Sequence, residues 1–343
     1  MTRPVRDADT LRVIDFGRAS ALRSQTLWHA VAHGVSSGEP PTLSFVRPAE
    51  PYVCLGYHRR LDEVDRAYCA EEGLPIYRRM VGGGPVYLDS GQLFFQICLP
   101  ARSVSPARTA ALRDLLSPAL SAYRAAGVEA ELDGNMEITV GESKICGHGA
   151  GQVEEAVVVC GNLIERFDHE RATSILWLPN PTMRAEVLRM MRRFVNATPA
   201  DPEQFKHAAV AAYADALGLT PEASDLTPLE WAAVEALDEQ FTSESWIAGP
   251  HGRPRPPVRE VKIRAGVWVF AAEHEDARVV ASVVGDSVDR AQFRTSTPYD
   301  GLSAAEAAMA GVTLSKAPAV LAGFGSTGRR LAAAFAAADG KSL

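Results

Sequence analysis

Three consecutive glycines between two strand-like runs restrict this chain more than any other stretch: Arg78-Arg79-Met80-Val81-Gly82-Gly83-Gly84-Pro85-Val86-Tyr87-Leu88-Asp89. Without Cβ atoms the backbone can turn through φ > 0, and a ligand can lie directly on it. Two arginines just before the glycines bring positive charge to the same place. Arginine binds carboxylate or phosphate through a planar fork. The segment has no Gly-Lys-Ser/Thr of a phosphate loop and no GxGxxG of a dinucleotide fold. The alternative is a tight hairpin with solvated arginines.

About sixty residues later a second glycine-rich segment follows: Gly134-Asn135-Met136-Glu137-Ile138-Thr139-Val140-Gly141-Glu142-Ser143-Lys144-Ile145-Cys146-Gly147-His148-Gly149-Ala150-Gly151. Lys144 stands after a hairpin turn and before Gly147. There its ammonium can sit over an anion held by backbone N–H groups. An isolated lysine would be read as a solvated surface residue; the first glycine segment in the same domain argues against that.

The spacing of apolar residues gives a mixed α/β domain. Helices are predicted over 22–35, 106–126, 183–194 and 202–217, and strands over 43–46, 52–55, 137–140 and 155–160. The run 92–99 is apolar throughout, as expected for a strand buried on both faces. The pattern changes after Leu226. A helix over 227–241 with Thr227 as N-cap is followed by a Gly/Pro/Arg loop at 249–257. Strands over 258–264, 267–272 and 279–284 and helices over 303–309 and 329–338 complete the chain. Two domains are expected, 1–225 and a small α+β domain at 226–343.

The 35 Lys and Arg against 42 Asp and Glu give a net charge of −7, which argues against a broadly basic nucleic-acid surface. No run of apolar residues is long enough for a membrane span, and residues 1–15 lack the apolar core of a signal peptide. Cys54, Cys69, Cys98, Cys146 and Cys160 form no CxxC pair, so neither a disulfide framework nor a zinc site is expected, and the cytoplasm is the expected compartment. His29 and His33 are four apart but have no third ligand nearby in sequence, which argues against a metal pair. Arg253, Arg255 and Arg259 read as a solvated linker, with docking of an acidic carrier domain as the functional alternative.

Together these residues resemble the lipoate–protein ligase family. Tyr52-Val53-Cys54-Leu55-Gly56-Tyr57 leads in, the family's RRxxGGGxV pattern stands at Arg78, Arg79, Gly82, Gly83, Gly84 and Val86, and its Lys-aliphatic-small-Gly pattern at Lys144-Ile145-Cys146-Gly147. The order fits over about residues 20–225. Trp246, Gly266 and Gly285-Asp286 resemble the accessory C-terminal domain of the bacterial ligases, more weakly. The resemblance implies a biotin/lipoate ligase-like α/β (α+β) catalytic domain with a mixed sheet. It also implies a two-step reaction: lipoate and Mg-ATP give lipoyl-adenylate, which a carrier-domain lysine then attacks. Lys144 is the implied catalytic residue, neutralising charge in both steps. Arg79, Gly82, Gly83, Gly84, Val86 and Gly147 are implied to line the adenylate, and Gln92 and Asn135 to hold its nucleotide or acyl end. The implied partners are lipoyl domains of 2-oxoacid dehydrogenase E2 subunits or the glycine cleavage H protein. The accessory domain is expected to act as a lid hinged at 249–257.

Several positions depart from that pattern. Leu88 replaces a histidine, Val81 a small hydroxyl residue, Met136 an aspartate and Cys160 a histidine; His148 and Gly151 replace a serine and a basic residue. The loss of a carboxylate at Met136 weakens the case for magnesium. Two other readings therefore stay open. One is an octanoyl or lipoyl transferase working between carriers without ATP, with Cys146 or Cys160 as nucleophile; buried structural cysteines are the alternative for both. The other is a protein that binds an acyl ligand without turnover. A biotin ligase is disfavoured because no GRGRxG-type basic loop is present.

Overall fold

The computed structural model describes residues 9–249 and 258–338. In chain order, β1 (Thr10–Ala19), α1 (Arg23–Ser36), β2 (Thr42–Pro48) and β3 (Tyr52–Leu55) lead to the short α2 (Arg66–Glu71). β4 (Ile76–Arg78) and β5 (Val86–Leu88) flank the three glycines, and β6 (Gln92–Pro100) follows. Then come α3 (Arg108–Ala125), β7 (Glu131–Leu132), β8 (Ile138–Val140), β9 (Ser143–Lys144), β10 (His148–Val153) and β11 (Ala156–Ile164). Next are α4 (His169–Ser174), α5 (Pro181–Phe194), α6 (Pro202–Leu217), β12 (Thr220–Ala223), α7 (Pro228–Thr242) and α8 (Glu244–Ala248).

The chain divides into two units, Met1–Ile175 with Asn196–His251, and Leu176–Val195 with Gly252–Leu343. The first is built on a six-stranded mixed sheet in the order β10-β11-β6-β2-β1-β12. β1 runs parallel to β2 and β12, and the other pairs are antiparallel. Strand β6 explains its own sequence. Leu93, Phe95, Ile97 and Leu99 enter a core with Leu116, Tyr123, Phe205 and Tyr213 of α3 and α6. Phe94 and Cys98 point the other way, into clusters with Leu27, Trp28, Ala30 and Val31 of α1. Both faces are covered, but contrary to expectation the run is not apolar throughout: Gln96 is buried and its Oε1 accepts the Ser44 hydroxyl at 2.8 Å.

Strand β1 is not evident in the sequence because Arg12 and Asp15 break its apolar pattern. Arg12 is nevertheless buried. Its guanidinium donates to both carboxylate oxygens of Glu230 at 2.9 and 3.0 Å, and Glu230 is fully buried. Glu230 is also the third residue of the α7 capping box, accepting the Thr227 N–H at 2.8 Å. Thr227 thus caps the helix as expected. A buried ion pair that loses one partner costs about 3–5 kcal/mol, so α7 is bound tightly to β1. The boundary expected at 225/226 consequently falls inside the first unit.

The second unit holds an antiparallel meander: β13 (Arg259–Arg264), β14 (Val267–His274), β15 (Ala277–Val284) and β16 (Ser287–Thr295). The fourth strand is hidden in the sequence by Asp289, Arg290 and Arg294, which alternate with the buried Val288, Ala291 and Phe293. Helices α9 (Leu302–Met309), α10 (Ala317–Ala322) and α11 (Gly325–Ala338) share its core. Helix α5, expected with the first domain, belongs here. Its Arg189 binds the buried Glu186 one turn away and also Asp289 and Ser282 of the meander. Arg259 lies on β13 and donates to the Trp177 carbonyl; Arg253, Arg255 and the rest of the loop at 250–257 lie outside the described residues. No helix of the described residues is long and apolar enough to cross a membrane.

Candidate active site

The three-glycine segment is held from beneath by side chains that leave its outer side open. His29, fully buried on α1, donates from Nδ1 to the Gln25 carbonyl at 2.7 Å. Its Nε2 accepts the Met80 N–H at 3.0 Å. Burial holds its pKa down to about 3, so the ring is neutral and its tautomer fixed by the two bonds. Arg79 comes next. It was expected to reach an anion, but its guanidinium donates to the carbonyls of Cys54, Gly82 and Gly84 at 2.9–3.1 Å. The Val81 carbonyl accepts the Tyr57 N–H. The Gly83 carbonyl lies against Gly56, where a Cβ would come within 2.1 Å of it.

The carbonyls of residues 81–84 are thus all turned toward the protein. In a trans peptide the N–H points opposite to the C=O. The N–H groups of Gly82, Gly83 and Gly84 therefore face away from those anchors, and among the described residues none has an acceptor. Gly83 and Gly84 are exposed. Successive backbone N–H groups of this kind form an anion-binding concavity.

Arg78 is committed more completely still. It is 1% exposed, and its guanidinium meets the carbonyls of Gly56, Tyr57 and Arg59 and those of Trp246, Ile247 and Ala248 at the C-terminal end of α8. Trp246, which resembled part of the accessory domain, belongs to the first unit and returns a bond from Nε1 to the Arg78 carbonyl at 2.9 Å.

The second glycine segment folds against the first. A Cβ on Gly149 would stand 3.5 Å from the Gly82 carbonyl, and one on Gly151 would stand 2.9 Å from Val81 Cγ1. Bulk at Val81 is thus matched by its absence at Gly151. Lys144, on β9, is 16% exposed and donates to Glu137 Oε1 at 2.8 Å; Glu137 is 4% exposed. An ammonium has three N–H bonds, so this pairing leaves two for another anion. Gly147 donates its N–H to Asn162 Oδ1 at 2.7 Å, and Asn162 Nδ2 donates to Gln92 Oε1 at 2.8 Å. Gln92 in turn reaches the Tyr87 carbonyl at 3.3 Å.

Other expected residues fall at varying distances from this chemistry. Gln92 is buried and bonded to protein at both ends of its amide, so it holds the sheet rather than a ligand. Val86 is half-buried on β5, opposite Cys54. Asn135 is exposed on a turn closed by Asp133, whose Oδ1 accepts the N–H groups of Asn135 and Glu137. Met136 has φ of 62° and its side chain is in the core, an unusual conformation for a residue with a Cβ. Cys146 is fully buried in the same core; its thiol points to the Gly147 carbonyl, and burial raises its pKa to about 11. Cys160 is half-buried, with its thiol 3.4 Å from the Gly149 carbonyl and its pKa raised, again chiefly by burial. Three contributors escaped the sequence reading: His29, Asn162 and Glu137. Glu137 was the most accessible to it, because its carboxylate lies only seven residues from Lys144.

Residues 21–213, more than half of the chain, match the family model of the lipoyl protein ligase A/B catalytic domain. Subunit 1 of lipoate–protein ligase A from Thermoplasma acidophilum is 23% identical over 236 residues, covering 64% of this chain and 89% of that protein. An octanoyltransferase LipM from Exiguobacterium sibiricum is 25% identical over 271 residues, 68% of this chain and 97% of that one. Among solved structures, the bi-partite lipoate protein ligase of Thermoplasma acidophilum, described with its E2 lipoyl domain, superposes with a TM-score of 0.63 at 22% identity. It covers 71% of this chain and 98% of its own. A lipoate–protein ligase A bound with ATP gives 0.58 at 22% identity, over 69% and 98%. These likenesses share the fold; membership is carried by the family model, and the chain belongs to the lipoyl protein ligase A/B catalytic domain family.

Proposed function

We propose that this enzyme joins lipoate or octanoate to a lysine of a lipoyl carrier domain through an acyl-adenylate made with ATP. The observation that carries the reading is the row of outward N–H groups at Gly82–Gly84, packed against the segment that bears Lys144. In the first step the acyl carboxylate attacks the α-phosphorus of ATP and pyrophosphate leaves. In the second the carrier amine attacks the acyl carbonyl and AMP leaves. Negative charge builds on the phosphate oxygens in the first step and on the acyl carbonyl oxygen and the departing phosphate in the second. Fixed N–H donors and an ammonium with two N–H bonds to spare stabilise such charge without rearranging. No nucleophilic side chain is needed, because ATP supplies the leaving group.

Magnesium needs hard oxygen ligands. Met136 offers none, Glu137 Oε1 is on Lys144, and Asp133 Oδ1 accepts two backbone N–H groups. Among these residues there is no ready carboxylate set for an ion held by the protein alone, so the nucleotide phosphates are its natural ligands.

The relationship to octanoyltransferases keeps one alternative in play, transfer between carriers through a cysteine thioester. That route needs a thiolate near the acyl group. Cys146 and Cys160 both have raised pKa values and thiols turned to backbone carbonyls, which argues against it. The test is mass spectrometry of an apo lipoyl domain incubated with the enzyme, lipoate and Mg-ATP. The expected result is an ATP-dependent lipoyl increment that survives Cys146→Ala and Cys160→Ala. Transfer from an octanoyl carrier without ATP, lost in either cysteine variant, would replace this reading with the transferase. No modification under either condition would leave acyl binding without turnover.

A further inference from the structure

Lys144 sits on a very short edge strand, anchored on its C-terminal side by the buried Ile145. β9 has two residues, paired to β8 through Thr139↔Lys144 and Val140↔Ser143, and the Ile145 N–H adds one more bond, to the Ile138 carbonyl at 3.1 Å. It is the edge of a three-stranded sheet, β7-β8-β9, separate from the six-stranded one. An edge strand of this length gains little from its ladder. Yet the Lys144 ammonium must be placed to within a fraction of an ångström for charge stabilisation to count.

On the side away from β8, support comes from a residue 52 positions downstream. The N–H of Asn196 donates to the Lys144 carbonyl at 3.0 Å, and its Nδ2 donates to Ser143 Oγ at 2.7 Å. Two residues on, the Thr198 N–H donates to the carbonyl of Ile164, the last residue of β11. Residues 196–198 therefore tie the small edge strand to the six-stranded sheet. We propose that Asn196 is a positioning residue for Lys144, clamping its backbone on the side away from β8 while Glu137 orients the ammonium. The inference takes from the proposed function only what Lys144 does; the clamp itself rests on the contacts.

The test separates the two. Asn196→Ala keeps the backbone bond but loses the one to Ser143; Asn196→Asp can accept from the Ser143 hydroxyl and restore the link with reversed polarity. For adenylate formation and for transfer from supplied lipoyl-adenylate, Asn196→Ala is expected to lower kcat about tenfold with KM for ATP nearly unchanged. Asn196→Asp should recover most of that loss.

A second readout needs no activity. The chain has only five lysines. Trace labelling with acetic anhydride, read by mass spectrometry, gives the reactivity of Lys144 relative to Lys206, Lys262 and Lys316. The ratio should rise several-fold in Asn196→Ala and return in Asn196→Asp. An unchanged ratio, or an active enzyme whose kcat ignores Asn196→Ala, overturns the proposal. If the unsubstituted enzyme makes no adenylate, the proposed function fails and the labelling ratio alone decides the clamp.

Discussion

The two glycine-rich segments look alike in sequence but use their cations in opposite ways. Before Gly82, Arg78 and Arg79 spend their N–H bonds on backbone carbonyls. Those acceptors are fixed by the fold, and no incoming anion can replace them without dismantling the loop. Lys144, before Gly147, has a carboxylate side chain as its partner and N–H bonds to spare. An incoming anion can share such an ammonium. Charge near a glycine turn therefore does not by itself identify a ligand contact. In the first segment the binding groups are the neutral backbone N–H donors, and the arginines aim them.

Arg78 should prove indispensable to the first segment. Its guanidinium serves six carbonyls, three of them at the C-terminal end of α8. Arg78→Met should cost about 4 kcal/mol of unfolding free energy in urea, in line with losing one partner of a buried polar network. Arg78→Lys should recover less than half, since a point charge cannot span both carbonyl groups. A loss under about 1 kcal/mol would mean the carbonyls find water and Arg78 is not what fixes the loop.

Lys144 should behave differently, with its stability and activity effects separable. Lys144→Ala removes the ammonium from the buried Glu137 and should cost about 3 kcal/mol. Loss of activity in that variant alone would thus confound chemistry with folding. Adding Glu137→Gln should restore most of the stability and none of the activity. If the double variant unfolds as readily as the single one, the pair is not what makes Lys144→Ala unstable.

The sequence exposes what periodicity and backbone chemistry encode. The β6 run, the amphipathic α3 and α6, the Thr227 cap and the two glycine turns were all legible, because each depends on residues close in sequence. What it hides depends on partners far apart. β1 was obscured by Arg12, whose reason for being in a strand lies at Glu230. α5 is amphipathic wherever it packs, and only Asp289 and Ser282 show that it belongs with the second unit. In the site, Lys144 and Gly82–Gly84 could be found by motif. Arg79 could not be assigned, because an arginine's sequence neighbours do not show whether its fork meets a ligand or a carbonyl. His29 offered no signal at all: its function is to accept the N–H of Met80, 51 residues away.

His29 gives the smallest effect and tests how far the glycine loop depends on a neutral support beside the Arg79 guanidinium. Its folded-state pKa is lowered to about 3 from an ordinary 6.5, with burial the main cause and His33 and Arg79 adding repulsion. The neutral ring is therefore the folded form. Its contribution is complete above pH 6.5 and is lost as the pH falls from there toward 3, because the unfolded chain takes up the proton first. Between pH 6.5 and 5 the loss should be about 2 kcal/mol, from 1.36 kcal/mol per pH unit. His29→Gln can still accept from Met80 and does not titrate, so its urea midpoint should fall less over the same range. Parallel pH profiles for the two proteins would show that protonation of His29 is not what acid works on. The loop would then owe its acid sensitivity to groups other than His29.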